Sequence, residues 1–272
     1  MHVAQETKKR YPGSNESLMA SVCKTIRKVG EPSLLTVEAT KARQAHEIGE
    51  SSGLFYVPKV VNFDREAGAL EFEQLNDLVT LQEMRIRRDD RLLGLLKRTG
   101  QILATVHEKL VLPEEMKFQL PPEWMDSPEQ NVFIHGDFTL CNVCFHEPSE
   151  RLVILDWSAA PFLGRTPTYG SRFFDIIWLL IYIFYGTPRK RLFNRDASDM
   201  ANAFLCGYAQ YHPEVIHHLS EELVPLMRRY YRKVVWHLAQ QKSYCRAIRY
   251  VLYQSFIYPR FVCYRPEQRY DR

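Results

Sequence analysis

The chain has 272 residues, of which 46% are hydrophobic and 25% charged, with a formal net charge of +4. This is the composition of an ordinary globular protein, long enough for one large domain or two lobes around a shared core. The charge is too small to mark a nucleic-acid binder, and six cysteines without regular spacing do not make a disulfide framework.

The N-terminal MHVAQETKKR lacks the apolar core of a signal peptide, so residence in the cytoplasm is expected. MASVCKTIRKV, Met19 to Val29, alternates with period two as a strand does. TVEATKARQAHEIGESSG, from Thr36, reads as a helix that Gly53 closes. YVPKVVNFD and GALEFEQL read as two strands with a turn at Asp64 to Gly68. After Asn76 the pattern becomes mostly helical. Residues 1–76 are therefore expected to form a small lobe and residues 77–272 a larger one, with the ligand cleft between them.

Farther along, PPEWMDSPEQ, Pro121 to Gln130, reads as a loop. It leads into the strand-like Val132, Phe133 and Ile134 and then into HGDFTLCN, His135 to Asn142. A second apolar run, Leu152 to Leu155, delivers Asp156 to a strand end. Arg165 to Ser171, RTPTYGS, reads as a polar loop whose side chains are candidate acceptor contacts. The apolar run from Phe173 to Gly186 contains Asp175 and is too short to span a bilayer, which makes it a buried core helix. From Thr187 onward there are 15 Lys or Arg against 7 Asp or Glu. Many of these arginines fit an ordinary solvated helical face; the sharper reading is an anionic acceptor or peripheral contact with an acidic membrane surface.

The chemistry concentrates in three residues. Asn142 follows Asp137 by five positions, and Asp156 follows Asn142 by fourteen, at the end of an apolar run. Phosphoryl transfer from a magnesium nucleotide uses this arrangement. Asp137 would orient the acceptor hydroxyl and take its proton. Asn142 and Asp156 would hold Mg²⁺, a hard cation that needs few protein oxygens once phosphates and water supply the rest. Cys141 and Cys144 form one C-x-x-C, but no second ligand pair follows to complete a zinc site.

At these residues the sequence resembles the aminoglycoside phosphotransferase and choline kinase family, small-molecule members of the protein-kinase-like fold. His135-Gly136-Asp137 matches the family's His-Gly-Asp, and Asp156-Trp157 its Asp-Trp. The helix ending at His107, the FFDIIWLL segment around Asp175, and FLCGY, Phe204 to Tyr208, extend the match. The resemblance implies an α+β, two-lobed fold with a reduced β-rich N-terminal lobe and a mainly helical C-terminal lobe. It implies that His135 and Asp175 support the catalytic loop and that Glu73, Gln74 and Leu75 form the hinge facing the adenine of ATP or GTP. Val22-Cys23-Lys24 resembles the strand that bears the phosphate-binding lysine, with Glu38 as the partner that fixes it. Lys28 lies on the same strand face and is its rival. Tyr11 to Ser17 has one glycine and matches a Gly-rich phosphate loop poorly.

The function expected is transfer of a nucleotide γ-phosphate to a hydroxyl of a small molecule. The alternatives are a kinase of a lipid-linked or lipopolysaccharide sugar, and a catalytically silent nucleotide-binding scaffold. Gly136 stands where protein kinases carry the arginine that docks a phosphorylated loop, and only eighteen residues separate Asp156 from Asp175. Activation-loop switching and a protein substrate are thus not expected.

Overall fold

A computed structural model describes residues 24–124, 130–159, 163, 167–185, 197–240 and 248. The first strand, β1 (Thr25–Val29), pairs antiparallel with β4 (Ala69–Glu73), which pairs with β3 (Val60–Asp64) to give the order β1-β4-β3. The expected hairpin turn ends at Gly68, whose φ of +56° and close approach to the Gly30 carbonyl leave no room for a side chain. The part of the expected first strand before Lys24, and the segment Tyr11 to Ser17, lie outside the described residues.

Helix α1 (Pro32–Ser52) starts four residues ahead of the expected Thr36, because Pro32 occupies the first turn, where its fixed φ suits a helix and its missing N–H costs nothing. It ends at Gly53, in the left-handed conformation at φ +68°, with the Gly53 N–H on the Gly49 carbonyl. Leu35 and Ala39 pack on Leu70 and fix α1 against the sheet.

The expected strand from Tyr56 splits. Its first part, β2 (Phe55–Tyr56), pairs parallel with β8 (Arg151–Ile154) in a second sheet, ahead of Pro58, which has no N–H to offer a ladder. That sheet continues through β7 (Val143–His146) to β5 (Leu78–Thr80), in the order β2-β8-β7-β5. Thr80 caps α2 (Leu81–Arg87) with a reciprocal bond to Glu83. Arg85 of α2 reaches the last turn of α4 (Phe173–Tyr185), donating to the carbonyls of Tyr182 and Ile183.

A short ladder joins β6 (Asn131–Phe133) to β9 (Tyr169–Ser171). The segment expected as a loop of acceptor contacts is therefore partly a strand. Its Thr168 hydroxyl is buried and spent on the Met116 carbonyl and the Phe118 amide, and Arg165 and Thr166 lie outside the described residues. Helix α4 is buried along almost its whole length, as its apolar sequence requires. No described helix is long and apolar enough to cross a membrane.

The helical part is built on α3 (Leu92–Lys109), α5 (Ala197–Ala209) and α6 (Pro213–Gln240). Helices α3 and α5 touch backbone to backbone at Gly100 and Gly207: a Cβ on Gly207 would fall onto the Lys97 carbonyl, and one on Gly100 onto that of Phe204. Gly207→Ala should therefore lower stability by about 1–3 kcal/mol through forced separation of the helices. Gly94→Ala, where a Cβ meets nothing within 4 Å, should gain about 0.5–1 kcal/mol from helix propensity. Urea denaturation of the two variants checks both signs.

Candidate active site

The loop His135 to Asn142 is held from below by Asp175, which is fully buried near the start of α4. Asp175 Oδ2 accepts the His135 amide at 2.7 Å and Oδ1 the Gly136 amide at 2.9 Å. The His107 ring on α3 lies 3.1 Å from Oδ2 through Nε2 and 2.9 Å from the Tyr208 hydroxyl through Nδ1. Burial opposes ionisation of Asp175, but the bond from His107 and the neighbouring imidazoles hold its carboxyl below the ordinary value. Gly136 takes φ +89°, and a Cβ there would press on Ala159 at 3.2 Å. The loop can run this close to the segment after Asp156 only because this residue is glycine.

Asp137 is fixed at both oxygens. The Trp178 indole donates to Oδ1 at 2.8 Å, and the Asn142 amide donates to Oδ2 at 3.1 Å and to the Asp137 carbonyl at 2.9 Å. Burial pushes the Asp137 carboxyl up to about 6; the Trp178 bond opposes this shift and the negative charge of Asp156 adds to it.

The β7–β8 hairpin brings the remaining oxygens together. Val143 faces Ile154, and the Leu155 amide donates to the Asn142 carbonyl at 2.8 Å, so Asn142 and Asp156 leave the hairpin at one end. Asp156 then turns at φ +53°, a left-handed conformation that aspartate tolerates better than most residues. Trp157 packs into the core with its ring 4.5 Å from that of His135, while Asp156 accepts Lys28 at 3.1 Å and Ser158 at 2.6 Å, both through Oδ1. The side-chain oxygen of Asn142 and Oδ2 of Asp156 carry none of these bonds. Two hard donors of this kind fit Mg²⁺ when phosphates and water complete its octahedron. Among the described residues there is no cluster of three or more His, Cys, Asp or Glu able to hold a metal by itself. Burial pushes the Cys141 and Cys144 thiols up, so neither is a ready thiolate nucleophile.

The lysine on Glu38 is Lys28, at 2.8 Å, and not the first-expected Lys24. Lys24 lies just ahead of β1, four residues away, or roughly 13 Å of extended chain. Burial works against the Lys28 charge, but Glu38 and Asp156 outweigh it and raise its pKa. At the expected hinge, the Glu73 amide goes to the Lys59 carbonyl and the Gln74 amide to that of Lys24. The Glu73 carboxylate is tied to the Tyr56 hydroxyl and the Lys59 amide. The Leu75 amide donates to no backbone carbonyl of a described residue.

Two residues of the site escaped the sequence reading. Trp178 lies three positions after Asp175, and so on the same face of α4. Lys41 lies three positions after Glu38 and is buried against the His135 carbonyl. A lysine on the core-facing stripe of a helix is the signal that could have found it.

No family model matches the chain. Acyl-CoA dehydrogenase family member 11 is 27% identical over 106 residues in Rattus norvegicus, covering 38% of this chain and 12% of that protein. In Mus musculus it is 29% identical over 92 residues, 34% of this chain and 11% of that protein. The match thus spans about an eighth of the length of these curated relatives. Among solved structures, a glucosamine kinase in complex with glucosamine, ADP and inorganic phosphate superposes with a TM-score of 0.55 at 13% identity, over 88% of this chain and 77% of that one. A second crystal form of glucosamine kinase gives 0.55 at 14% identity, over 94% and 79%. A choline/ethanolamine kinase family protein from Mesorhizobium loti gives 0.47 at 14% identity, over 88% and 84%. The fold is that of the protein-kinase-like phosphotransferases, with a β-sheet-containing N-terminal region and a helical C-terminal region.

The buried loop carries a pH signature. Burial first, and then the Lys41 cation, push the His135 imidazole from 6.5 down to about 4. Its share of stability is complete above 6.5 and is lost as the pH falls toward 4, because the unfolded chain binds that proton first. Asp137, whose carboxyl is pushed up, shifts stability the opposite way, so the comparison needs a variant that keeps Asp137. Relative to His135→Gln, wild type should lose up to about 3 kcal/mol over this range, measured by urea denaturation at several pH values. A difference that does not change with pH would mean that His135 titrates normally.

Proposed function

We propose that the protein is a Mg-dependent phosphotransferase that moves the γ-phosphate of ATP or GTP to a hydroxyl of a small molecule. The observation that carries this reading is the convergence of five side chains from four separate segments. Lys28 of β1 joins Glu38 of α1 to Asp156 after β8, and Asp137 is bonded to Asn142 in the loop between β6 and β7. A scaffold that only binds nucleotide would use Lys28, Glu38, Asn142 and Asp156, but it would have little need of Asp137 beside them.

In this reading residues 1–76 form the nucleotide-binding lobe and residues 77–272 the catalytic and acceptor-binding lobe, in a cytoplasmic protein. Lys28 keeps Glu38 and exchanges Asp156 for the nucleotide phosphates. Asn142 and Asp156 would hold the magnesium ions, which when bound neutralise charge on the phosphates and the departing diphosphate. Asp137, held by Trp178 and Asn142, aims its carboxylate at the acceptor hydroxyl and takes its proton. The acceptor oxygen forms a bond to the γ-phosphorus as the bond to the bridging oxygen breaks, and the nucleoside diphosphate leaves with that electron pair. The Leu75 amide is the candidate donor to the adenine, beside Glu73 and Gln74.

Mg-dependent turnover of ATP and GTP against amino sugars, aminoglycosides, choline-like alcohols and lipid-linked sugars tests the proposal. A phosphorylated product is expected, and its identity separates a free small molecule from a lipid-linked one. With a transferring assay in hand, Asp137→Ala should lower turnover by about 10²- to 10⁴-fold while leaving Mg-nucleotide affinity nearly unchanged. Asp156→Ala, and less severely Asn142→Ala, should weaken Mg-ATP binding in calorimetry; unchanged affinity in both would remove them from the metal site.

Lys28→Ala should be as damaging as the Lys28→Ala, Glu38→Ala pair, since residues acting as a unit are not additive. Lys24→Ala keeps the backbone carbonyl that holds Gln74 and should behave almost like wild type. Full dependence on Lys24 with an indifferent Lys28 would reverse this assignment.

A further inference from the structure

Lys41 has no part in the reaction as proposed above, yet it is wholly buried at 0% exposure. An ammonium in such a place is costly unless it is bonded and balanced. Its Nζ donates to the His135 carbonyl at 2.6 Å, and Asp175, Glu38, Asp156 and Asp137 supply the surrounding negative charge. Burial draws its pKa down to about 8 against the pull of those carboxylates, which leaves it mostly charged at neutral pH.

The target of that bond is held at its other polar atoms as well. The His135 amide is on Asp175, its Nδ1 accepts the Asp137 amide at 3.2 Å, and its Nε2 lies 3.2 Å from the Leu155 carbonyl. Accepting at Nδ1 puts the ring proton on Nε2, which can then donate to Leu155. Lys41 supplies the remaining restraint, and it comes from the helix that carries Glu38 one turn earlier. A single face of α1 therefore sets both Lys28 and the loop bearing Asp137.

We infer that Lys41 is a positioning residue that locks the Asp137 loop to α1, so that the phosphate-binding lysine and the catalytic aspartate share one rigid support. Protein kinases are controlled by moving the helix that carries the glutamate of the Lys–Glu pair. Here that movement would strand a buried ammonium and a buried carbonyl at once. The site is held assembled without an activating signal. The consequence for turnover rests on the proposed reaction; the mechanical coupling does not.

The test compares full-length wild type, Lys41→Met, which keeps length and loses donor and charge, and Lys41→Gln, which keeps a donor. Hydrogen exchange read by mass spectrometry should show amides 134–137 and 39–45 exchanging at least about tenfold faster in Lys41→Met, with Lys41→Gln in between. In Mg-ATP hydrolysis, kcat should fall by about tenfold or more while KM for Mg-ATP stays within about threefold, again with partial rescue by glutamine. Exchange equal to wild type in Lys41→Met overturns the inference. So does a loss expressed in KM alone. A wild type that transfers phosphate to none of the acceptors named above defeats the proposed function, and the exchange result still decides the coupling. If neither variant folds, native-state exchange of wild type in low denaturant decides instead. The two segments should open as one unit, and independent opening overturns the inference.

Discussion

The site depends on one buried carboxylate. Two consecutive amides, those of His135 and Gly136, end on the two oxygens of Asp175, and this fixes the direction in which the chain enters the loop. Consecutive N–H groups converge on a single acceptor when the backbone turns at the first of them, here His135, and the positive φ of Gly136 then sets the path of the chain onward to Asp137. Because Asp175 is completely buried, water cannot substitute for it. Its removal would leave two amides and the His107 ring without their acceptor in a low-dielectric interior.

The electrostatics of the cleft follow from this anchoring. Four carboxylates, Glu38, Asp137, Asp156 and Asp175, all act on the Lys41 ammonium, and two of them, Glu38 and Asp156, also act on Lys28. Lys28 is partly exposed and bridges two of them, whereas Lys41 is sealed in. The exposed lysine can change partners when a polyanion arrives; the sealed one cannot. Asp137 sits between these extremes. The Trp178 bond keeps its carboxylate oriented in a site where burial would otherwise favour the neutral acid.

Packing at glycine explains how the helical part supports the loop. Helices α3 and α5 meet at Gly100 and Gly207 with their backbones in contact, which sets Tyr208 against His107 and His107 against Asp175. A chain of buried polar contacts thus runs from α5 to the loop His135 to Asn142. Each member has a partner, as a buried network must have to be stable.

What the sequence determined by itself was the local chemistry. The spacing of Asp137, Asn142 and Asp156, the closure of α1 at Gly53 and the turn at Gly68 are each encoded within a few residues, and periodicity or a residue-specific φ reveals them. The fold class was legible too, since a strand-rich start followed by a helical remainder is a global pattern. Only the tertiary structure shows that Glu38 meets Lys28, because alternation in the sequence treats Lys24 and Lys28 alike and the contact depends on where α1 crosses β1. It also shows that the Thr168 hydroxyl is spent on Met116 and Phe118, that Tyr169 to Ser171 pair with β6, and that β2 leaves its chain neighbours for β8. Trp178 and Lys41 became meaningful for the same reason. Asp137 lies 41 positions from Trp178, and His135 lies 94 from Lys41, and a contact across such distances is set by how helices and sheets pack, which no local pattern records.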